Sequence, residues 1–166
     1  YLGFYCDAAP AIFADPASTC AGLAAAGIPT RTEDLNLATI GVSSLVGSAT
    51  VTRTVTNVSS KSITVKADTS EAPKGFTVAT SPSTLTVPAG GSKSFTVTIT
   101  NKGTAPVGTW VFGNLTWKGS GHSISSAIAV KAARIGAPAS VTGSGASGTT
   151  TVPVTFGYAG AYTAKR

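Results

Sequence analysis

His122 is the only histidine of the 166-residue chain, and it stands in Lys118-Gly119-Ser120-Gly121-His122-Ser123. Serine hydrolysis needs a nucleophile, a base beside it and a group that orients the base. Serines are plentiful here, but no Gly-x-Ser-x-Gly elbow is present. The acids nearest to His122 in sequence are Asp68 and Glu71. The reading is an exposed histidine in a turn that opens a strand, and no residue is given a catalytic role. A calcium loop wants closely spaced Asp, Asn and Glu ligands. Of the six acids only Glu33 and Asp34 are adjacent, and they read as a solvated lead-in to the first strand. Zinc needs more Cys and His than the chain holds. No metal and no cofactor is expected. Asn57-Val58-Ser59 and Asn114-Leu115-Thr116 match the glycosylation acceptor, a triplet that is frequent by chance.

Cys6 and Cys20 are the two cysteines, and both lie in the first 26 residues. A disulfide between them fits an exported protein. The alternative is a pair of free buried thiols in a cytosolic one. The even count, with no metal-ligand spacing nearby, favours the bond. Its closure would stabilise by about 3 kcal/mol on the chain-entropy account.

The elements that would carry these residues are mostly strands. In 49–57, ATVTRTVTN, Val51 and Val55 alternate with Thr50, Thr52, Thr54 and Thr56. In 93–101, KSFTVTITN, Phe95, Val97 and Ile99 alternate with Thr96, Thr98 and Thr100. A side-chain period of two gives one dry face and one wet face. Val and Thr are β-branched and suit a pleated surface. Strands are expected over 37–42, 48–58, 62–67, 76–80, 85–87, 93–101, 110–117 and 123–131. Val111, Leu115 and Trp117 share a face of the seventh, and Ile124, Ile128 and Val130 share one of the eighth. Turn residues separate them: Gly47, then Pro73 to Gly75, then Pro88, Gly90 and Gly91, then Gly103, Pro106 and Gly108. Roughly eight short strands with turns between them over about 100 residues predict an all-β sandwich of immunoglobulin or fibronectin type III kind. Val51, Val55, Phe95, Val97, Ile99 and Leu115 are expected to point inward.

Both ends differ from this middle. Residues 1–26 are Ala-rich and predict short helical turns, with Ser18 or Thr19 capping a helix that Gly27 and Pro29 stop. Residues 136–151 are rich in Gly, Ser, Ala and Thr and read as a linker or a weak strand pair. Val152, Val154, Phe156 and Tyr158 then alternate once more. The expected organisation is a connecting segment over 1–30, a sandwich over 31–134, and over 135–166 an extension or the start of a further domain.

Net charge is +6, but the cations are spread singly, Arg31, Arg53, Lys61 and Lys66 among them, as solvated side chains would be. No basic run with interleaved aromatics marks a nucleic-acid surface. No apolar run approaches the roughly 20 residues of a membrane-spanning helix. The chain begins at Tyr1 and holds no Met, which points to a processed product or a fragment.

An ordered set of motifs resembles the C-terminal region of subtilisin-like serine proteases, the subtilases that carry a fibronectin type III-like domain after the catalytic one. The motifs are Tyr1-Leu2-Gly3-Phe4-Tyr5-Cys6, Asp34-Leu35-Asn36-Leu37 and Thr50-Val51-Thr52-Arg53-Thr54-Val55-Thr56-Asn57-Val58. They continue with Val78 through Pro82 to Leu85, Ser94-Phe95-Thr96-Val97, and Phe112-Gly113-Asn114-Leu115-Thr116-Trp117. The last runs from His122-Ser123 through Ile128-Ala129-Val130. The pattern is departed from at Leu37 and Ala38, at the turn 118–121, and at Ser125 and Ala127. These departures fit a bacterial relative better than a plant one. The catalytic Asp, His and Ser motifs of that family are absent, and His122 inherits no role. The resemblance implies a non-catalytic accessory domain of a secreted protease. Its partner would be the catalytic domain of the same chain, with a homodimer as a further assembly. The competing reading is an independent binding or adhesion module. The first expects an apolar docking patch on the strands, the second aromatics clustered in loops at one end.

Overall fold

In the computed structural model, which describes residues 2–138, 141, 145 and 147–161, the core lies between two facing sheets. One has five strands in the order β1 (Ile40–Leu45), β8 (His122–Ala132), β7 (Trp110–Gly119), β3 (Ile63–Asp68) and β5 (Thr84–Val87). The other has three, β2 (Ser48–Thr56), β6 (Ser92–Asn101) and β4 (Phe76–Ser81). Neighbours pair antiparallel except β1, which runs parallel to β8 with Ile40 opposite Ile128. The chain passes from β4 to β5, and so from one sheet to the other, through a cis Ser81–Pro82 bond. This is the β-sandwich that the alternation predicted.

Phe95, Val97, Ile99, Val51 and Leu115 are buried, as expected, and Val55 is half-buried near the end of β2. Trp117 meets Phe95 edge-on at 4.9 Å between ring centroids, joining the sheets at the centre. Ile128 and Val130 are inside, while Ile124, on the same face, is half exposed because it lies toward the strand's open end. The outer face of the smaller sheet is a ladder of hydroxyls. Ser48 meets Thr100 at 3.1 Å, Thr50 meets Thr98 at 2.9 Å, Thr54 meets Ser94 at 2.8 Å and Thr56 meets Ser92 at 2.7 Å. Such cross-strand pairs stabilise a sheet by a few tenths of a kcal/mol up to about 1 kcal/mol each.

Several boundaries depart from the expectation. β1 starts at Ile40 instead of residue 37, and Leu37 stays exposed. The Leu37 N–H turns back to the Leu35 carbonyl and the Thr39 carbonyl is taken by the Arg53 guanidinium, so these residues do not join the ladder. The second helix, α2 (Pro16–Ala25), begins earlier than the Ser18/Thr19 cap implied. Asp15 is its cap, accepting the Ser18 N–H at 3.1 Å, and Pro16 takes the first helical position, where no N–H is needed. Gly27 ends it as expected. It adopts φ +73°, its N–H reaches the Ala24 carbonyl and that of Ile28 reaches Leu23, the paired bonds of a Schellman stop. The first helix, α1 (Leu2–Ala8), is joined to α2 by the Cys6–Cys20 disulfide. The expected strand over Val152–Tyr158 shrinks to β10 (Thr155–Phe156), paired with β9 (Ile135–Gly136). Val152 and Val154 are exposed, so the alternation there has no second layer to bury against. The linker reading of 136–151 falls partly on residues 139, 140, 142–144 and 146, outside the described residues, as does Tyr1.

The helical arm is tied to the rest through Asp7. Its Oδ2 accepts the Thr32 N–H at 2.9 Å and the Thr32 hydroxyl at 2.6 Å. These bonds, the hydroxyl's first, hold the carboxyl below its ordinary value. A depressed carboxylate favours the docked arm above its unfolded value of about 3.9, and that contribution fades as pH falls through the lowered value. Because Asp7 is largely exposed the effect is under about 1 kcal/mol. Asp7→Asn is therefore expected to speed proteolysis between the arm and the sandwich at pH 7, and the difference between the two forms should shrink as pH falls through the lowered value. Equal cleavage of both forms at pH 7 would remove Asp7 as the tether.

Candidate functional site

The surface best formed for contact is the outer face of β1, β8 and β7. Alternation along β7 sends Val111, Leu115 and Trp117 inward and Trp110, Phe112, Asn114, Thr116 and Lys118 outward. The register places Phe112 opposite Ala129, and Ala129 opposite Gly41, so the ring stands beside two small residues. Phe112 is 70% exposed and Trp110 42% exposed. The Lys131 ammonium lies 5.2 Å from the Trp110 ring centre, a cation–π contact that orients the indole.

Gly113 positions this row. A Cβ there would fall 2.5 Å from the Glu71 carbonyl oxygen and from the Pro73 nitrogen, so only glycine lets the 69–73 loop cross under β7. The Asn114 N–H donates to the Glu71 carbonyl at 2.8 Å, and the Asn114 side-chain amide to the Glu71 carboxylate at 3.0 Å. On the β3 side, Lys118 bonds Asp68 at 2.7 Å. That bond, with those from Ser70, holds Asp68 well below the ordinary carboxylate range and raises Lys118.

Arg53 is the buried residue that pattern reading missed. A lone arginine between threonines reads as a surface cation, yet it is 5% exposed and points inward in line with Val51. Its guanidinium donates to the carbonyls of Glu33 and Thr52, both at 2.8 Å, and of Thr39 at 3.1 Å. Burial pulls its pKa down while Asp34 opposes this. Glu33 and Asp34 are correspondingly not a merely solvated lead-in. Asp34 Oδ1 accepts the Thr52 N–H at 3.1 Å, and both ends of the Asn36 amide bond the Thr54 backbone. Side chains thus stand in for a neighbouring strand along the edge of β2, which would otherwise present unpaired backbone groups.

His122 opens β8 opposite Gly119 and is exposed. Asp68 and Glu71 are bonded to Lys118 and Asn114, so neither acid is held beside it as an orienting partner. Among the described residues no group of three His, Cys, Asp or Glu is placed to hold a metal ion. No described helix is long and apolar enough to cross a membrane.

The first of the two acceptor triplets is structural. Asn57 is buried, and its two amide protons are shared among the carbonyls of Lys61, Val87 and Pro88 at 2.7, 3.0 and 3.1 Å. Its Oδ1 accepts the backbone and hydroxyl of Ser59. A glycan on that nitrogen would break the set. Asn57→Ala is expected to cost about 2 kcal/mol in urea unfolding, through buried carbonyls left unpaired. A midpoint within a few tenths of a kcal/mol of the parent would contradict the role.

The fibronectin type-III domain family matches residues 34–130. The chain belongs to this family. Over 125 residues the protein is also 34% identical to Subtilisin-like protease SBT2.6 of Arabidopsis thaliana, 75% of this chain and 15% of that one. Subtilisin-like protease SBT3.1 of the same plant is 39% identical over 100 residues, 59% of this chain and 13% of that one. Among solved structures, the MSP-domain protein SSP-19 of Caenorhabditis elegans has a TM-score of 0.40 at 14% identity, over 55% of this chain and 94% of that one. This fibronectin type-III domain therefore spans about one seventh of the length of its curated relatives. Those relatives are plant proteins, so the departures at Leu37, Ala38, Ser125 and Ala127 do not mark a bacterial lineage.

Proposed function

We propose that this chain is the non-catalytic accessory region of a secreted subtilisin-like serine endopeptidase, packing on the catalytic domain of the same polypeptide and stabilising it. The observation that carries this reading is the position of Trp110 and Phe112. They lie exposed on a strand face, where a docking patch is expected, and not in loops at one end, where an adhesion module would gather its aromatics. The likeness to a part of two plant subtilisin-like proteases supports it. So does the Cys6–Cys20 bond, which suits an oxidising compartment. Residues 1–30 serve as the connecting segment. Leu2, Tyr5, Ile12 and Ile28 are exposed on it, which suits packing in the crevice between the two domains. Residues 31–134 form the sandwich and 135–166 its extension.

The test is made in the parent protease. Trp110→Ser with Phe112→Ser is expected to lower its Tm by roughly 4 °C, since two aromatic anchors contribute about 2 kcal/mol when docked. The same double change in the isolated chain should leave its own Tm nearly unmoved, because both side chains are exposed. A parent enzyme with unchanged Tm and yield would refute the docking role and favour an independent binding module.

A further inference from the structure

The end of the sandwich beside the β1–β2 turn holds a short segment that belongs to neither large sheet. Thr155 pairs with Gly136 and Phe156 with Ile135. The Gly157 N–H donates to the Arg134 carbonyl at 2.7 Å, and the Asn101 side-chain amide reaches the Gly157 carbonyl at 3.5 Å. A Cβ on Gly157 would lie 2.3 Å from the Ala133 oxygen and 3.3 Å from the Gly47 nitrogen, so the seat admits only glycine. Tyr158 donates its hydroxyl to the Ala105 carbonyl at 2.6 Å, and its ring packs on the core. Ala105, Val107, Arg134 and Ile135 form one wall of a cleft beside the segment, and Phe156, Tyr158 and residues 159–161 form the other.

We propose that the seat made by β9, Ala133, Gly47 and Ala105 is a site for an extended peptide of the pattern Phe-Gly-Tyr, filled in this chain by its own residues 155–158. Each feature of a peptide site is present: a backbone edge at β9, a steric test for glycine, and a seat for a tyrosine ring ending on a carbonyl acceptor. The occupant pairs as a strand over a short stretch. Its ladder is two residues long, where β7 and β8 pair over ten. Val152 and Val154 ahead of it are exposed, and the sequence over 136–151 is rich in Gly and Ser. A segment with so short a ladder opens locally, without unfolding the sheets. While tethered it competes at an effective concentration on the order of millimolar, so a free peptide gains the site only once the segment is displaced.

Two measurements on the full chain test this. In hydrogen exchange of the unaltered protein, the Gly157 amide is expected to exchange about a hundredfold or more faster than those of Val97 and Ile99. Equal rates would mean that the segment opens only with the whole fold, and the proposal would fall. The second uses the full chain carrying Gly157→Ala and Tyr158→Ala, with a labelled synthetic peptide of residues 152–160. The peptide is expected to bind the altered chain at least tenfold more tightly than the unaltered one, as relief from millimolar competition requires. A peptide with alanine at the Gly157 position should lose that binding. Absence of peptide binding to a folded altered chain would overturn the site. So would loss of the folded sandwich in the altered chain, since the segment would then be part of the core and not an occupant.

Discussion

Replacing Val97 by aspartate is expected to abolish the cooperative melt of the sandwich. Val97 sits at the middle of β6, fully buried, opposite Val51 on one side and Thr80 on the other. A carboxylate there loses its water and gains no partner, a penalty of several kcal/mol even after the group protonates. The stability of a whole domain is only about 5–15 kcal/mol. Thr98→Asp, one residue along, is the control. Thr98 faces outward beside Thr50, and a surface charge there should cost no more than about 1 kcal/mol. A larger loss in Thr98→Asp than in Val97→Asp would mean that the register is wrong by one, since such a slip exchanges the faces of the strand.

Arg53→Ala is expected to be the second most damaging change, at about 4 kcal/mol. Three carbonyls would lose their donor, each costing roughly 1–3 kcal/mol where water cannot reach, and the guanidinium stem leaves a void between the sheets. Arg53→Lys should recover little, because an ammonium cannot span the Glu33, Thr52 and Thr39 carbonyls as the planar fork does. Arg53→Met restores volume but not the bonds, and should fall between alanine and the parent. The variants should also differ in place: hydrogen exchange should quicken first at Thr52 and Thr54, whose N–H groups are covered by Asp34 and Asn36. Alanine, lysine and methionine variants within 1 kcal/mol of the parent would show that the buried arginine is dispensable.

The contrast between Val97 and Arg53 shows what pattern reading can reach. Val51, Phe95, Val97, Ile99 and Leu115 announce their burial because their neighbours alternate with them, and a sheet has only two faces. Arg53 lies on the same face by the same count, yet its residue type argues for water. What reverses it is a set of backbone carbonyls from an irregular stretch, and carbonyls carry no sequence signal. Asn57 was opaque for the same reason. Its triplet, frequent by chance, says nothing of burial, and its partners Val87 and Pro88 lie about 30 residues on. The disulfide was legible because two cysteines permit one pairing. The exposed aromatic face was legible in part, since assigning Val111, Leu115 and Trp117 inward leaves Trp110 and Phe112 outward. Residues 152–158 were read as a strand from alternation alone, and alternation does not reveal whether a second layer exists to receive it.

The parallel pairing of β1 with β8 sets an order of events. Ile40 cannot meet Ile128 until the intervening chain exists, and ribosomes add about 5–20 residues per second. The first strand made therefore waits roughly 4–18 s for the last. During that interval Ile40, Val42 and Leu45 form an apolar run with no partner, the kind of segment that sticks to other nascent chains. Closing so long a loop also costs about 4 kcal/mol of chain entropy, recovered only when the whole sandwich condenses. Newly made chains should thus be most prone to aggregate before residue 132 has emerged, and a holdase that covers residues 40–45 in that window should raise the yield.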